Sequence, residues 1–167
     1  MSPSIATAQE LMVRMGELHT SASAGDVLVS IGLGSCIGLA LVDARRPIVG
    51  LAHIMLPTAD EQCGPKAKFA NFAVPHLLAE VRRLGAVRPH AILAGGAQMF
   101  SFSGEGGGNI GARNEEAVRD ALKAEGIPVR AAATGGRRGR TIRVHVDGTR
   151  VTVREVAGTE QLLYGKD

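Results

Sequence analysis

Apolar residues fall into short β-branched or aliphatic runs near the start of the chain and into helix-spaced patterns further along. Leu11 to Leu18 and Asp26 to Ile31 read as strands, and Gly32-Leu33-Gly34-Ser35 after them reads as a sharp turn. Cys36 to Val42 and Ile48 to Leu56 are apolar at both alternating sets of positions and are separated by Asp43-Ala44-Arg45-Arg46-Pro47. That pattern predicts an antiparallel hairpin covered on both faces, and therefore central to a sheet. Between Lys66 and Leu84, residues Phe69, Phe72, Ala73, Leu77, Val81 and Leu84 keep helical spacing, with Pro75 as a kink point. His90 to Leu93 and Val129 to Ala133 read as strands, and Ala112 to Glu125 as an amphipathic helix stopped by Gly126 and Pro128. Thr141 to Val146 and Arg150 to Val156 flank Asp147-Gly148 as a second hairpin. No repeat or linker interrupts the chain. The expected fold is a single-domain α/β (α+β) layered sandwich over residues 1–167, with one mixed, mostly antiparallel sheet and two main helices. Its core spans about residues 11–156, and 157–167 form a C-terminal tail.

Composition narrows the function classes. The 167 residues are 45% hydrophobic and 21% charged, a globular balance. Aromatics make up only 3%, so platforms for stacking bases or sugars are not expected, and a net charge of +3 is too small for a nucleic-acid footprint. The longest apolar run, Ile37 to Val42, falls far short of the ~20 residues of a membrane helix, and the N-terminus lacks the pattern of a secretion signal. Two cysteines, Cys36 and Cys63, make no disulfide framework, so a reduced, cytoplasmic setting is expected.

Ser30 to His53 carries the most chemistry. With the hairpin loop centred between Ala44 and Arg45, Cys36 and His53 fall directly opposite each other on one sheet face, with Cβ atoms about 4.5–5.5 Å apart. A slip of one residue would put them on opposite faces. An imidazole that takes the thiol proton makes the sulfur a nucleophile. Gly32 and Gly34 permit a bend in which amides around Ser35 and Cys36 point into an open site and hold an oxyanion. Asp43 lies about 23 Å along the strand from Cys36, too far to orient the imidazole, whereas Ser30 sits across the glycine turn and can. On the residues alone a second reading stands beside this one, in which Cys36 is an inert small hydrophobe and His53 a satisfied core histidine.

Other motifs carry less. Gly106-Gly107-Gly108-Asn109-Ile110-Gly111 matches G-x-G-x-x-G but follows no strand directly, and Ala131 stands where a ribose-binding acid is expected, so no dinucleotide cofactor is predicted. The histidines show neither H-E-x-x-H nor C-x-x-C company, so no metal is predicted. Ser101 to Gly111 reads as a mobile flap, and Arg137, Arg138, Arg140 and Arg143 as a basic hairpin end able to meet an acidic surface.

Gly32-Leu33-Gly34-Ser35-Cys36, Gly50-Leu51-Ala52-His53-Ile54-Met55-Leu56-Pro57, Gly95-Gly96-Ala97-Gln98-Met99-Phe100, Asn109-Ile110-Gly111 and Gly135-Gly136 with Gly139-Arg140-Thr141 together resemble the chemoreceptor glutamine deamidase family, CheD. The likeness runs from about Met15 to Val153. It implies a cysteine hydrolase, without cofactor, that converts glutamines of methyl-accepting chemotaxis receptors to glutamate and releases ammonia. It implies catalytic roles for Cys36 and His53, with Ser30 standing where the family has an orienting Thr; the hydroxyl is kept and the rotamer-restricting methyl lost. It also implies a fold similar to bacterial toxin deamidases and a possible CheC-type phosphatase partner. Receptor methylesterase activity and a non-catalytic adaptor are the alternatives.

Overall fold

The computed structural model describes residues 8–99 and 109–166. In chain order the strands are β1 Glu10–Met12, β2 Leu18–Ser21, β3 Val27–Leu33, β4 Ile37–Asp43 and β5 Ile48–Ile54. Helix α1, Ala70–Arg83, precedes β6 His90–Gly95, and helix α2, Ile110–Ala124, precedes β7 Val129–Thr134. The chain closes with β8 Arg140–His145, β9 Arg150–Glu155 and β10 Gln161–Tyr164.

The strands make two sheets where one was expected, ordered β1-β3-β8-β9-β10 and β2-β5-β4-β6-β7. Only β1 with β3 and β6 with β7 run parallel, so both sheets are mixed and mostly antiparallel. The split arises at the glycine turn. Instead of folding β4 back against β3 as a hairpin, it carries the chain from one sheet to the other. In the same way the expected strand Leu11 to Leu18 is two strands in different sheets, divided by a loop with Gly16 at φ +80°.

Alternation along β4 explains its unbroken apolarity. Ala40 and Val42 face the first sheet with Leu28, Leu33, Val49, Leu51, Ile142 and Val144. Ile37, Leu39 and Leu41 face the helices with Val74, Leu77, Val118 and Leu122. The second sheet is thus the middle layer of three. Gly50 lets α1 lie close, because a Cβ there would come within 2.8 Å of Val81 Cγ1. Among the described residues no helix is long and apolar enough to cross a membrane.

Two local expectations need correction. Residues 161–164 are not tail but edge strand β10, paired with β9, and Leu163 and Tyr164 pack on the inter-sheet core. The β4–β5 register places Gly38, not Cys36, opposite His53. The cause lies in the loop: Asp43 stays in β4, paired with Ile48, so the connection is 44–47 and its centre moves by one residue. Asp43 is pinned there because Oδ1 accepts from Arg45 N at 3.0 Å and Oδ2 from Val87 N at 2.7 Å and Arg88 N at 3.1 Å. The resulting shift of two residues preserves which face each side chain occupies.

Candidate active site

Between Ser30 and Leu33, strand β3 advances three residues while β8 advances two, a bulge with Gly32 at φ +73°. The chain then crosses to β4, leaving Cys36 half-buried at the seam between the sheets, against the inter-sheet core. The turn is held by its carbonyls. Gly34 O accepts from Ala97 N at 2.9 Å, Ser35 O from Asn114 Nδ2 at 2.9 Å, and Cys36 O from Gly96 N at 2.9 Å. Gly95, at φ +107°, permits this approach, since a Cβ there would collide with the Cys36 carbonyl oxygen.

His53 lies on β5 with Val49 and Leu51, on the face toward the first sheet. Its main chain is clasped by the Val13–Glu17 loop: His53 N donates to Glu17 O and Gly16 N donates to His53 O, both at 2.9 Å. Nδ1 lies 3.3 Å from Val13 O, the same oxygen that accepts from Ser30 Oγ at 2.7 Å. With a carbonyl as partner, Nδ1 carries the proton, which leaves the Nε2 lone pair free. Nε2 is buried with no hydrogen-bond partner among the described residues.

Cys36, one residue before β4, packs on the inter-sheet core toward which the His53 face of β5 is turned, and no hydrogen bond joins the two. Ser30, fully buried, does not bond to the ring; its hydroxyl and the ring nitrogen meet at the Val13 carbonyl. Burial pushes the Cys36 thiol up, and its own main-chain N–H partly offsets that. Burial pushes the His53 imidazole down, against the Val13 carbonyl and the Glu17 carboxylate. Both shifts favour the uncharged forms, thiol and imidazole, over a thiolate–imidazolium pair.

Of the turn residues, Gly34 lies under the Met99 side chain, and Ser35 contributes the carbonyl held by Asn114. Arg140 leaves the expected basic patch: it is buried, and Nη1 donates to Gly135 O at 2.8 Å and Gly95 O at 3.2 Å, while Arg137 and Arg138 are exposed. The expected flap lies largely outside the described residues; Asn109 caps α2 by accepting from Ala112 N at 3.0 Å. Sequence reasoning missed the Val13 carbonyl, which has no side-chain signature, and Asn114. The latter had one: it interrupts the apolar stripe of α2 at helical spacing from Gly111, Val118 and Leu122.

Among the described residues, two mixed sheets and two helices, with a cysteine at the seam between the sheets and a histidine on the strand face turned toward it, are the class that the fold and site define. A family model described as CheD chemotactic sensory transduction matches residues 55–155. The chemoreceptor glutamine deamidase CheD of Thermotoga maritima is 39% identical over 153 residues, covering 90% of this chain and 95% of that protein. Probable chemoreceptor glutamine deamidases of Clostridium novyi and Haloarcula marismortui are 43% and 38% identical, covering 77% and 87% of this chain and 83% and 85% of theirs. The chain belongs to the CheD family. An alignment over nine-tenths of the chain necessarily spans Ser30 to His53, although the family-model match begins two residues after His53.

Proposed function

We propose that this protein deamidates glutamine side chains of chemotaxis receptors, with Cys36 as nucleophile and His53 as general base. The observation that carries the mechanism is the buried Nε2 of His53, unpartnered among the described residues, on the face of β5 turned toward the inter-sheet core against which Cys36 packs. The names of the relatives supply the substrate class. Because burial favours the uncharged form of each group, proton transfer accompanies attack. The thiol proton moves to Nε2 as Sγ bonds to the amide carbon, and the carbonyl oxygen becomes an oxyanion beside the Cys36 amide. The C–N bond then breaks, and the imidazolium proton leaves with the nitrogen as ammonia. Water gives a proton to Nε2 and attacks the thioester, and expulsion of the sulfur restores the thiol and yields glutamate. Val13 O keeps Nδ1 protonated and the ring aimed, and Ser30 Oγ steadies that carbonyl. Each turnover adds one negative charge to the receptor surface. This role carries with it a cytoplasmic setting, and a CheC-type phosphatase is a second expected partner, to be sought by co-purification.

The test is a purified receptor fragment with this enzyme. Ammonia release and the mass change of an amide-to-acid conversion at defined glutamines are expected. Cys36→Ala should abolish both, and His53→Gln should slow them by ~10²-fold or more. Methanol released from methylated receptor without ammonia would reassign the enzyme as a methylesterase. Full activity in Cys36→Ala would remove the mechanism.

A further inference from the structure

The three carbonyls pinned around the thiol differ in one respect. Gly34 O and Cys36 O are held by main-chain donors of one segment, Ala97 N and Gly96 N, whereas Ser35 O is held by a side chain, Asn114 of α2. That carbonyl belongs to the peptide unit bearing the Cys36 N–H. The peptide is planar and trans, so its C=O and N–H point opposite ways. Anchoring the Ser35 oxygen on α2 turns the Cys36 N–H away from the helix.

Asn114 is fully buried, and its Nδ2 also donates to Met55 O at 3.0 Å, two residues beyond His53. One amide thus ties the turn of the cysteine to the strand end that follows the histidine. Its Oδ1 is buried with no hydrogen-bond partner among the described residues. Helix packing does not account for that: leucine has nearly the same shape, would fit the apolar stripe and would strand no acceptor. The two donations do account for it.

We propose that Asn114 is a positioning residue that, by holding the Ser35 carbonyl, presents the Cys36 N–H as a preformed donor to the oxyanion of the attacked amide. The proposal rests on the Cys36 mechanism above and adds the residue that prepares its electrostatic stabilisation. It separates the chemistry of acyl transfer from the reactivity of the thiol.

Asn114→Leu and Asn114→Ala should lower kcat for receptor deamidation by ~10–10²-fold with KM within about twofold, since loss of an oxyanion donor outright costs ~10²–10³-fold. Alkylation of Cys36 by iodoacetamide, a displacement that forms no oxyanion, should stay within about threefold of the parent. Parental kcat in a folded Asn114→Leu overturns the proposal, as does an alkylation loss as large as the kcat loss, which would mean that the cysteine itself had moved. Activity retained in Cys36→Ala would instead sink the nucleophile assignment, whatever Asn114 does. If neither Asn114 variant folds, the unaltered protein decides. A peptide aldehyde replacing the glutamine amide takes up the Cys36 thiol, with the C–S bond formed and the thiol proton passing to oxygen. The Cys36 amide proton should then shift downfield in the NMR spectrum, and an unmoved signal overturns the proposal.

Discussion

Burial acts on Cys36 and His53 to one electrostatic end, because each loses its charged form on leaving water: the thiol is pushed up and the imidazole down. The base works when neutral, so a lowered imidazole value moves the acid limb of activity to lower pH. The limb of kcat/KM for receptor deamidation should therefore fall below ~6.5, the ordinary histidine value. The nucleophile reacts with alkylating agents as thiolate, so a raised thiol value moves that rise to higher pH. In a Cys63→Ser background, which removes the exposed second thiol, iodoacetamide labelling of Cys36 should still be climbing above pH ~8.5. A labelling rate already at its plateau at neutral pH would mean a resting ion pair, contrary to the direction in which burial shifts both groups.

Asp43 governs the hairpin that sets where His53 lies, and it does so from the end of the hairpin remote from the site. Burial alone would raise its carboxyl, but the amides of Val87, Arg88, Arg45 and Arg46 outweigh burial and hold it below the usual range. A carboxyl lowered in the folded state contributes stability that is complete above its unfolded value, ~3.9, and is lost as pH falls through the folded value. Asp43→Ala strands those amides and should cost about 1–3 kcal/mol in urea unfolding at pH 7. The deficit relative to the parent should shrink in strongly acid buffer, whereas a deficit independent of pH would assign the loss to packing. This aspartate also marks the limit of what the sequence discloses. The doubly apolar runs of β4 and β5 announced a buried hairpin and which of its residues face each neighbouring layer, because alternation is local. The register was not legible, because the loop centre depends on amides of Val87 and Arg88, more than forty positions away. The division into two sheets was hidden for a related reason: periodicity identifies strands but not their partners, and Gly32-Leu33-Gly34-Ser35 reads alike as a reversal or a crossing. The Val13 carbonyl between Ser30 and His53 was hidden because a main-chain oxygen has no side-chain signature.

The seam between sheets brings together the end of β3, the Val13–Glu17 loop, β5, the segment after β6 and α2, and each of these contributes a hydrogen bond to the site. Met15 in the loop that clasps His53, Ile31 beside Ser30 in the bulge and Met99 over Gly34 are 61%, 56% and 45% exposed. Large side chains left in water on three separate segments of one site suit a substrate presented on another protein's surface, where apolar contact supplies affinity without touching the reacting amide. Burying one such side chain is worth about 1.5–3 kcal/mol, or roughly tenfold or more in binding. Ile31→Asp and Met15→Asp should therefore raise KM for a receptor fragment by about tenfold each, with kcat and the alkylation rate of Cys36 close to parental values. Uniform loss of kcat at unchanged KM would show that these side chains support the site rather than receive the receptor. Unchanged kinetics in both variants would move the docking surface elsewhere, with exposed Arg137 and Arg138 the next residues to reverse in charge.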